Sequence, residues 1–217
     1  MRLIQWFIRL IFPPKCLLCQ TLLDRELDLC ARCRVHGPEY PNAKIKLPHL
    51  DRWLGMWYYE ADVRDSLLRY KFGGRRNYAR GYGRLLAMRL LQEREGQFDL
   101  ITWVPISRRR KAHRGYDQVE LLAKAVSAEL GVEAVKCLHK HRHTQPQSRL
   151  SSAAERRANV LGAFRAVEPE GFRGKRVLLL DDILTTGATL SEAARVLLTA
   201  GAAEVQAAVV AVSKFDK

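Results

Sequence analysis

The sequence predicts an α/β fold, a parallel sheet flanked by helices, preceded by a small N-terminal cysteine module. Three observations carry this. Val177–Leu180 is an uninterrupted apolar run of strand length, which suits a strand buried on both faces. Strand-like and helix-like stretches alternate from residue 53 onward, as parallel sheets with crossover helices require. Two Cys-x-x-Cys pairs, Cys16/Cys19 and Cys30/Cys33, stand ahead of them. With 217 residues, 47% of them hydrophobic, the chain can bury one full core and carry a small appendage.

In chain order, Met1 to Phe12 is apolar with Arg2 and Arg9. Its apolar run is short and interrupted, and Pro13-Pro14 follows without a small-residue cleavage site, so it does not read as a signal peptide. It is also too short to span a bilayer. Trp6, Phe7, Leu10 and Ile11 form a docking face, either for the protein body or for a membrane surface. No long apolar stretch follows, which predicts a cytoplasmic protein with no membrane span.

Each Cys-x-x-Cys places two thiolates within reach of one ion, and the segment between the pairs is long enough to fold back and close a tetrahedral site. The reading is a structural zinc held by Cys16, Cys19, Cys30 and Cys33; the alternative is a redox pair or unliganded thiols. Four protein ligands leave no open position for catalysis, and the metal supplies much of the folding energy of so short a segment. Lys15, Arg25, Arg32 and Arg34 also permit a nucleic-acid role there. The fifth cysteine stands alone, so the set is not a secreted disulfide framework and suits a reducing compartment. Val35 to Leu50, with Pro38, Pro41, Pro48, Gly37 and Asn42, reads as a linker. The predicted division is 1–48 for helix, zinc module and linker, and 49–217 for the main domain.

Within the main domain, Trp53 to Tyr59 is strand-like. Val63, Leu67 and Tyr70 follow at helical spacing, and a turn after Tyr70 presents Lys71, Arg75 and Arg76. Gly81 to Glu93 is a helix with Tyr82, Leu85, Leu86 and Leu90 inward. Leu100 to Pro105 is a parallel strand. The loop after it carries Ser107, Arg108, Arg109, Arg110, Lys111 and Arg114. So many cations at a strand's carboxyl end suit a pyrophosphate, or else form a solvated basic turn. Val119, Leu122, Ala123, Val126 and Leu130 make one helix face. Val132 to Leu138 reads as the second strand. His139 to Ser148 is polar; His139, His141 and His143 share a face if extended, but Lys140 and Arg142 repel a metal ion, and a basic lid over a phosphorylated ligand is the better reading. Ser151 to Arg157 is a capped helical start. Arg176 to Leu180 is the third strand and Ala202 to Val212 the fourth, with a helix marked by Leu190, Ala194, Leu197 and Leu198 between them and Gly201 as its stop.

The chemistry concentrates at residues 177–190. Asp181 and Asp182 close the strand, and Thr185-Thr186-Gly187-Ala188-Thr189 turns into the helix. Backbone N–H groups, hydroxyls and the positive end of the helix dipole favour a phosphate there, and Gly187 lets the backbone approach closely. Carboxylates at the strand's carboxyl end suit a sugar diol, or magnesium through water. A phosphate beside a sugar diol describes a ribose 5-phosphate. A P-loop ATPase is excluded, because Gly171-Phe172-Arg173-Gly174-Lys175-Arg176 is too short and lacks the final hydroxyl. Lys plus Arg number 37 against 23 acidic residues, a net charge of +14, which favours polyanionic partners such as nucleic acid or phosphates.

The run from Val177 to Leu190 resembles the phosphoribosyl pyrophosphate (PRPP) motif of type I phosphoribosyltransferases. The wider pattern is more specific. Two cysteine knuckles, Tyr70-Lys71-Phe72-Gly73, Val104-Pro105 with the Arg-rich run, Arg114-Gly115-Tyr116-Asp117-Gln118, Gln147, Arg157-x-Asn159 and Gly162-Ala163-Phe164 precede the motif in an order that resembles the ComF family over nearly the whole chain. Asp117 stands where Asn is expected, adding a negative charge near the proposed pyrophosphate loop. The resemblance implies a type I phosphoribosyltransferase fold with an N-terminal zinc finger. It implies PRPP held by Thr185, Thr186, Gly187, Ala188 and Thr189, with Asp181 and Asp182 on the ribose hydroxyls and Mg²⁺ arriving with PRPP. Lys71, Arg75, Ser107, Arg108, Arg109, Arg114 and Arg142 are the candidates for pyrophosphate or DNA backbone. It further implies a role in natural competence, in handling single-stranded DNA during uptake and transformation, with a helicase or recombination mediator as partner. A nucleobase-salvage phosphoribosyltransferase and a non-catalytic PRPP-sensing DNA-binding regulator stand as alternatives.

Overall fold

The computed structural model describes residues 13–24, 27–41, 45–93, 97–145 and 152–214. The docking face at Trp6, Phe7, Leu10 and Ile11, and the expectations on Arg25 and Gln147, lie outside these residues. Four parallel strands form the sheet: β1 (Arg52–Tyr58), β2 (Leu100–Trp103), β5 (Arg176–Leu184) and β6 (Glu204–Val212), in the spatial order β1-β6-β5-β2. The register runs Arg176 to Glu204, Leu180 to Ala208 and Leu184 to Val212 between β5 and β6, and Trp103 to Leu180 between β2 and β5. Every strand therefore ends at the same edge, where open α/β sheets collect ligands.

Helices cover both faces. α2 (Ala61–Phe72), α3 (Tyr78–Gln92) and α5 (Gln118–Leu130) pack with Leu178, Leu180, Ala208 and Val210. α7 (Ala188–Thr199) packs with Val177, Leu179, Ala207 and Val209 on the other face. Successive residues of a strand point to opposite faces, and here both faces are buried, so the apolar run of β5 has no polar alternate. Val63, Leu67 and Tyr70 of α2 and Tyr82, Leu86 and Leu90 of α3 are buried, as their spacing predicts. α3 and α5 touch closely at Gly83, where an added Cβ would lie 2.4 Å from the Ala125 methyl.

Three elements differ from the sequence reading. β5 continues through Leu184, so the acidic pair lies inside the strand, not beyond its end; pairing with β6 carries it on, with Asp181 against Val209 and Ile183 against Ala211. Val132 to Leu138 is not a regular strand. Ala134 alone bridges to Ile101, and the chain then forms β3 (Leu138–Lys140), antiparallel to β4 (Phe164–Ala166), in an arm outside the main sheet. The basic run after β2 is helical, α4 (Arg108–Arg114), capped by the Ser107 hydroxyl and closed by Gly115 at φ 75°. The capped helical start near residue 151 is α6 (Ala153–Val160), with a capping box between Ser152 and Glu155.

The cysteine module sits on the body. Cys30 caps the short helix α1 (Ala31–His36). Ser66 donates its hydroxyl hydrogen to the Leu17 carbonyl at 2.5 Å, and Arg69 donates to the Leu18 carbonyl. Leu17, Leu18 and Leu29 are buried in the same core cluster as Val63, Leu67 and Tyr82. The proline-rich linker is also held: Glu39 bridges to Trp57, and Tyr40 and Leu47 are buried.

Candidate functional site

A cleft of about 910 Å³ opens at the carboxyl ends of the strands. Asp181, Asp182, Thr185 and Thr189 line it from β5 and the turn after it, Lys71 and Phe72 from the end of α2, and Arg109, Arg110, His113 and Arg114 from α4. Gln118, Lys140, His143 and Thr144 complete its polar wall.

The strand pleat separates the two aspartates. Asp182 falls on the face of α2 and α5, where its carboxylate is engaged at both oxygens. Lys71 Nζ lies 2.9 Å from Oδ1, and Gln118 Nε2 donates to Oδ2 at 2.8 Å. Asp182 is buried, so it acts on the cleft by holding Lys71 and not as a free acceptor. Asp181 falls on the other face and accepts the Asp182 backbone N–H at 2.8 Å. Burial, and secondarily the neighbouring Asp182 charge, pushes the Asp181 carboxyl up to about 8. Its proton is then retained in the folded state and lost in the unfolded chain between roughly pH 4 and pH 8, so its contribution to stability falls as pH rises through that window. Asp181→Asn is expected to stabilise the protein at about pH 9 by up to roughly 5 kcal/mol and to be near neutral at about pH 3. Thermal melts of both proteins check this, and equal melting at the alkaline value contradicts it.

The turn after β5 leads into α7 without a side-chain cap. Gly187 adopts φ 77°, and the first intrahelical bond joins Ser191 N–H to its carbonyl at 2.9 Å. The helix ladder proper therefore starts at Ser191. The Thr186 hydroxyl is buried without a hydrogen-bond partner among the described residues. A Cβ at Gly187 would lie 2.5 Å from Leu47 Cδ2, so the linker packs against the outside of this turn.

Opposite stands Lys140, which the sequence reading did not select. It is 6% exposed, and among the described residues it has no carboxylate partner; its Nζ lies 5.0 Å from the centre of the Phe164 ring. Burial, then the charge of Arg110, pushes its amine down to about 8. Arg110 is itself half-buried, lowered first by desolvation, and donates to the Thr144 carbonyl at 2.9 Å. The Asp181 carboxyl opposes the Lys140 shift without reaching ion-pair distance, so the enclosed amine still costs stability unless an anion joins it.

Of the sequence-predicted cations, Lys71, Arg109 and Arg114 line the cleft. The others lie outside its lining, each for a local reason. Arg75 and Arg108 are exposed to solvent. The Ser107 hydroxyl is shared between the Arg110 N–H it caps and the Nδ1 of His143 at 3.0 Å. Arg142 donates to the carbonyls of Asn159 and Leu161, tying the start of the 141–163 segment to its end. Thr186, Gly187 and Ala188 form the turn without lining the cleft directly. Asp117 does not add charge to the cleft: it is buried, caps α5 by accepting the Val119 and Glu120 N–H groups, and accepts that of Ile106. Lys140 and the site role of Gln118 were missed because each is placed by tertiary contacts far apart in sequence, whereas Arg110 belongs to the basic run that the sequence marked for a pyrophosphate.

The cysteine cluster lies apart from the cleft. The four Sγ atoms are all within 4.8 Å of one another, and Cys19 and Cys30 are 3.6 Å apart. Tetrahedral zinc–thiolate bonds of about 2.3 Å place sulfurs ~3.8 Å apart, so the donors fit.

Residues 120–217 match the family described as the phosphoribosyl transferase domain. The chain is 31% identical over 199 residues to competence protein F of Haemophilus influenzae, covering 89% of this chain and 82% of that protein. The chain belongs to the ComF family. Further relatives are the DNA utilization protein YhgH of Salmonella typhi, 30% identical over 88% of this chain and 87% of that one. Competence protein ComFC of Streptococcus pneumoniae is 33% identical over 68% of this chain and 62% of its own. The ComF assignment agrees with a parallel sheet flanked by helices and a cysteine cluster able to hold zinc. No helix among the described residues is long and apolar enough to cross a membrane.

Proposed function

We propose that this ComF-family protein binds PRPP with magnesium in the cleft and handles single-stranded DNA in natural competence. The observation that carries the ligand reading is Lys140: a buried amine with no ion-pair partner among the described residues, facing a cleft with Arg109, Arg110 and Arg114, across from the Gly187 turn that opens α7. That arrangement suits a ligand with two anionic ends. The terminal phosphate sits at the turn of Thr185 to Thr189, where Thr185 and Thr189 line the cleft. Asp181 meets the ribose hydroxyls. Lys140 and the α4 arginines hold the diphosphate, and Lys71, fixed by Asp182, completes that wall. Asp182 has no free oxygen for a metal, so magnesium arrives on the diphosphate and neutralises its charge.

What these residues can do chemically is hold a sugar phosphate and favour a departing diphosphate by position and charge. Transfer to an acceptor is the phosphoribosyltransferase outcome; binding alone is the regulatory one. The DNA half rests on the competence and DNA-utilization names of the relatives and on a net charge of +14.

Calorimetric titration with PRPP and magnesium is expected to show one saturable site per chain, unaffected by equimolar free ribose. No heat at any attainable concentration contradicts the ligand reading. Diphosphate release in a screen of free bases then separates a transferase from a binding protein.

A further inference from the structure

We propose that the rim of the cleft at Phe72 and Arg114 is a stacking platform for an unpaired base of a nucleic-acid strand, whose backbone follows Arg75, Arg76 and Arg109. This rests on the single-strand reading above and gives it a surface.

Phe72 is the last residue of α2 and is 61% exposed. It is the only aromatic residue among the described large hydrophobics left exposed, and the only one of them that lines the cleft. Exposed apolar side chains scattered singly mean little. Phe72 is not single in that sense. The Arg114 guanidinium lies 4.7 Å from its ring centre, and a few residues away the Arg76 guanidinium lies 5.0 Å from that of Tyr116. Arg76 Nη2 also donates to the Gly115 carbonyl at 3.1 Å, which joins both pairs into one corner. Phe72 and Arg114 stand at the rim, and the Arg76–Tyr116 pair backs them from beneath.

Charge sets the occupant. Among the described residues, Arg75, Arg76, Arg109 and Arg114 have no carboxylate partner, whereas Lys111 next to them is paired with Glu120. An aromatic face beside unneutralised guanidinium groups matches the two parts of a single strand, a planar base and a phosphate chain. Duplex nucleic acid keeps its bases stacked and offers none to Phe72. The position adds a consequence. A strand lying on this rim crosses the mouth of the cleft, so a sugar phosphate inside it and the strand outside share Arg109 and Arg114.

The test uses the full-length, metal-loaded protein, a fluorescent thymidine oligonucleotide and an abasic backbone of the same length, compared by anisotropy at about 50 mM salt. The wild type is expected to bind the base-bearing strand about tenfold or more tightly than the abasic one, and Phe72→Ala to reduce it to the abasic level. Phe72→Trp restores binding, and the new indole is quenched by the strand. The salt slope is unchanged in Phe72→Ala and falls by about one in Arg114→Gln. Wild-type affinity in Phe72→Ala, or equal affinity for both strands, overturns the platform and leaves single-strand binding standing. If free thymine competes as well as the strand does, the rim is an acceptor-base site and the proposal fails. If the wild type binds neither strand, the single-strand reading itself fails with it.

Discussion

Cys33→Ser is expected to lower the melting temperature by roughly 10–20 °C and to abolish stoichiometric zinc. The module is a short segment whose four sulfurs converge, so a metal there supplies much of its folding energy. Losing it uncovers Leu17, Leu18 and Leu29, all buried on the body, at about 1.5–3 kcal/mol each. It also strips Ser66 and Arg69, both on α2, of the carbonyls they donate to. A loss of about 5 kcal/mol at 2–4 °C per kcal/mol for a chain of this size gives the stated drop. Calorimetry with metal analysis on purified protein measures both. A Cys33→Ser variant that retains one zinc, or melts with the wild type, refutes a structural metal centre.

Lys140→Met is expected to make the unliganded protein more stable and to weaken PRPP binding by about 10- to 150-fold, the range of one charge-assisted hydrogen bond. The two effects have one cause. Burial lowers the amine to about 8, below its value in the unfolded chain, so the folded state binds fewer protons in between. Stability therefore rises with pH from about 8 to about 10, and methionine removes the penalty that the charged amine imposes below that window. The anion needs the charged form. Wild-type affinity for the diphosphate should fall as pH rises through about 8, where Asp181 also ionises, and the variant should lose the part of that fall that the amine causes. Titrations at several pH values, paired with melts, check both halves. A destabilised variant with unchanged affinity would make Lys140 a packing residue of the β3–β4 arm.

The parts of this molecule legible in the sequence are those set by local pattern. The β5 run has no polar residue until Asp181, so its double burial follows directly. The Cys-x-x-Cys spacing constrains two thiols at a time, whatever surrounds them. Val63, Leu67 and Tyr70 show their helical face by spacing alone. The division of labour between Asp181 and Asp182 was within reach: a strand continuing past Leu180 sends consecutive side chains to opposite faces. The pair resembles a strand terminus because the apolar run stops at Leu180. α4 also carried its signals, Ser107 before the run and Gly115 after it, but seven residues with four arginines and a lysine read more readily as a loop. Lys140 was not legible. Among histidines and arginines it looks like surface, and only the pairing of β3 with β4, set by residues 24 to 28 positions later, turns it inward. Gln118 meets Asp182 across 64 residues, a contact no local pattern encodes.

The most direct measurement is a crystal structure of the protein with PRPP and magnesium. The expected result has the 5-phosphate on the backbone and hydroxyls of Thr185 to Thr189, a ribose hydroxyl on Asp181, and the diphosphate within reach of Lys140 and the α4 arginines, with Asp182 still bound to Lys71 and Gln118. A ligand seated elsewhere, or a cleft that stays empty at saturating PRPP while Lys140 turns to a protein carboxylate, would contradict it.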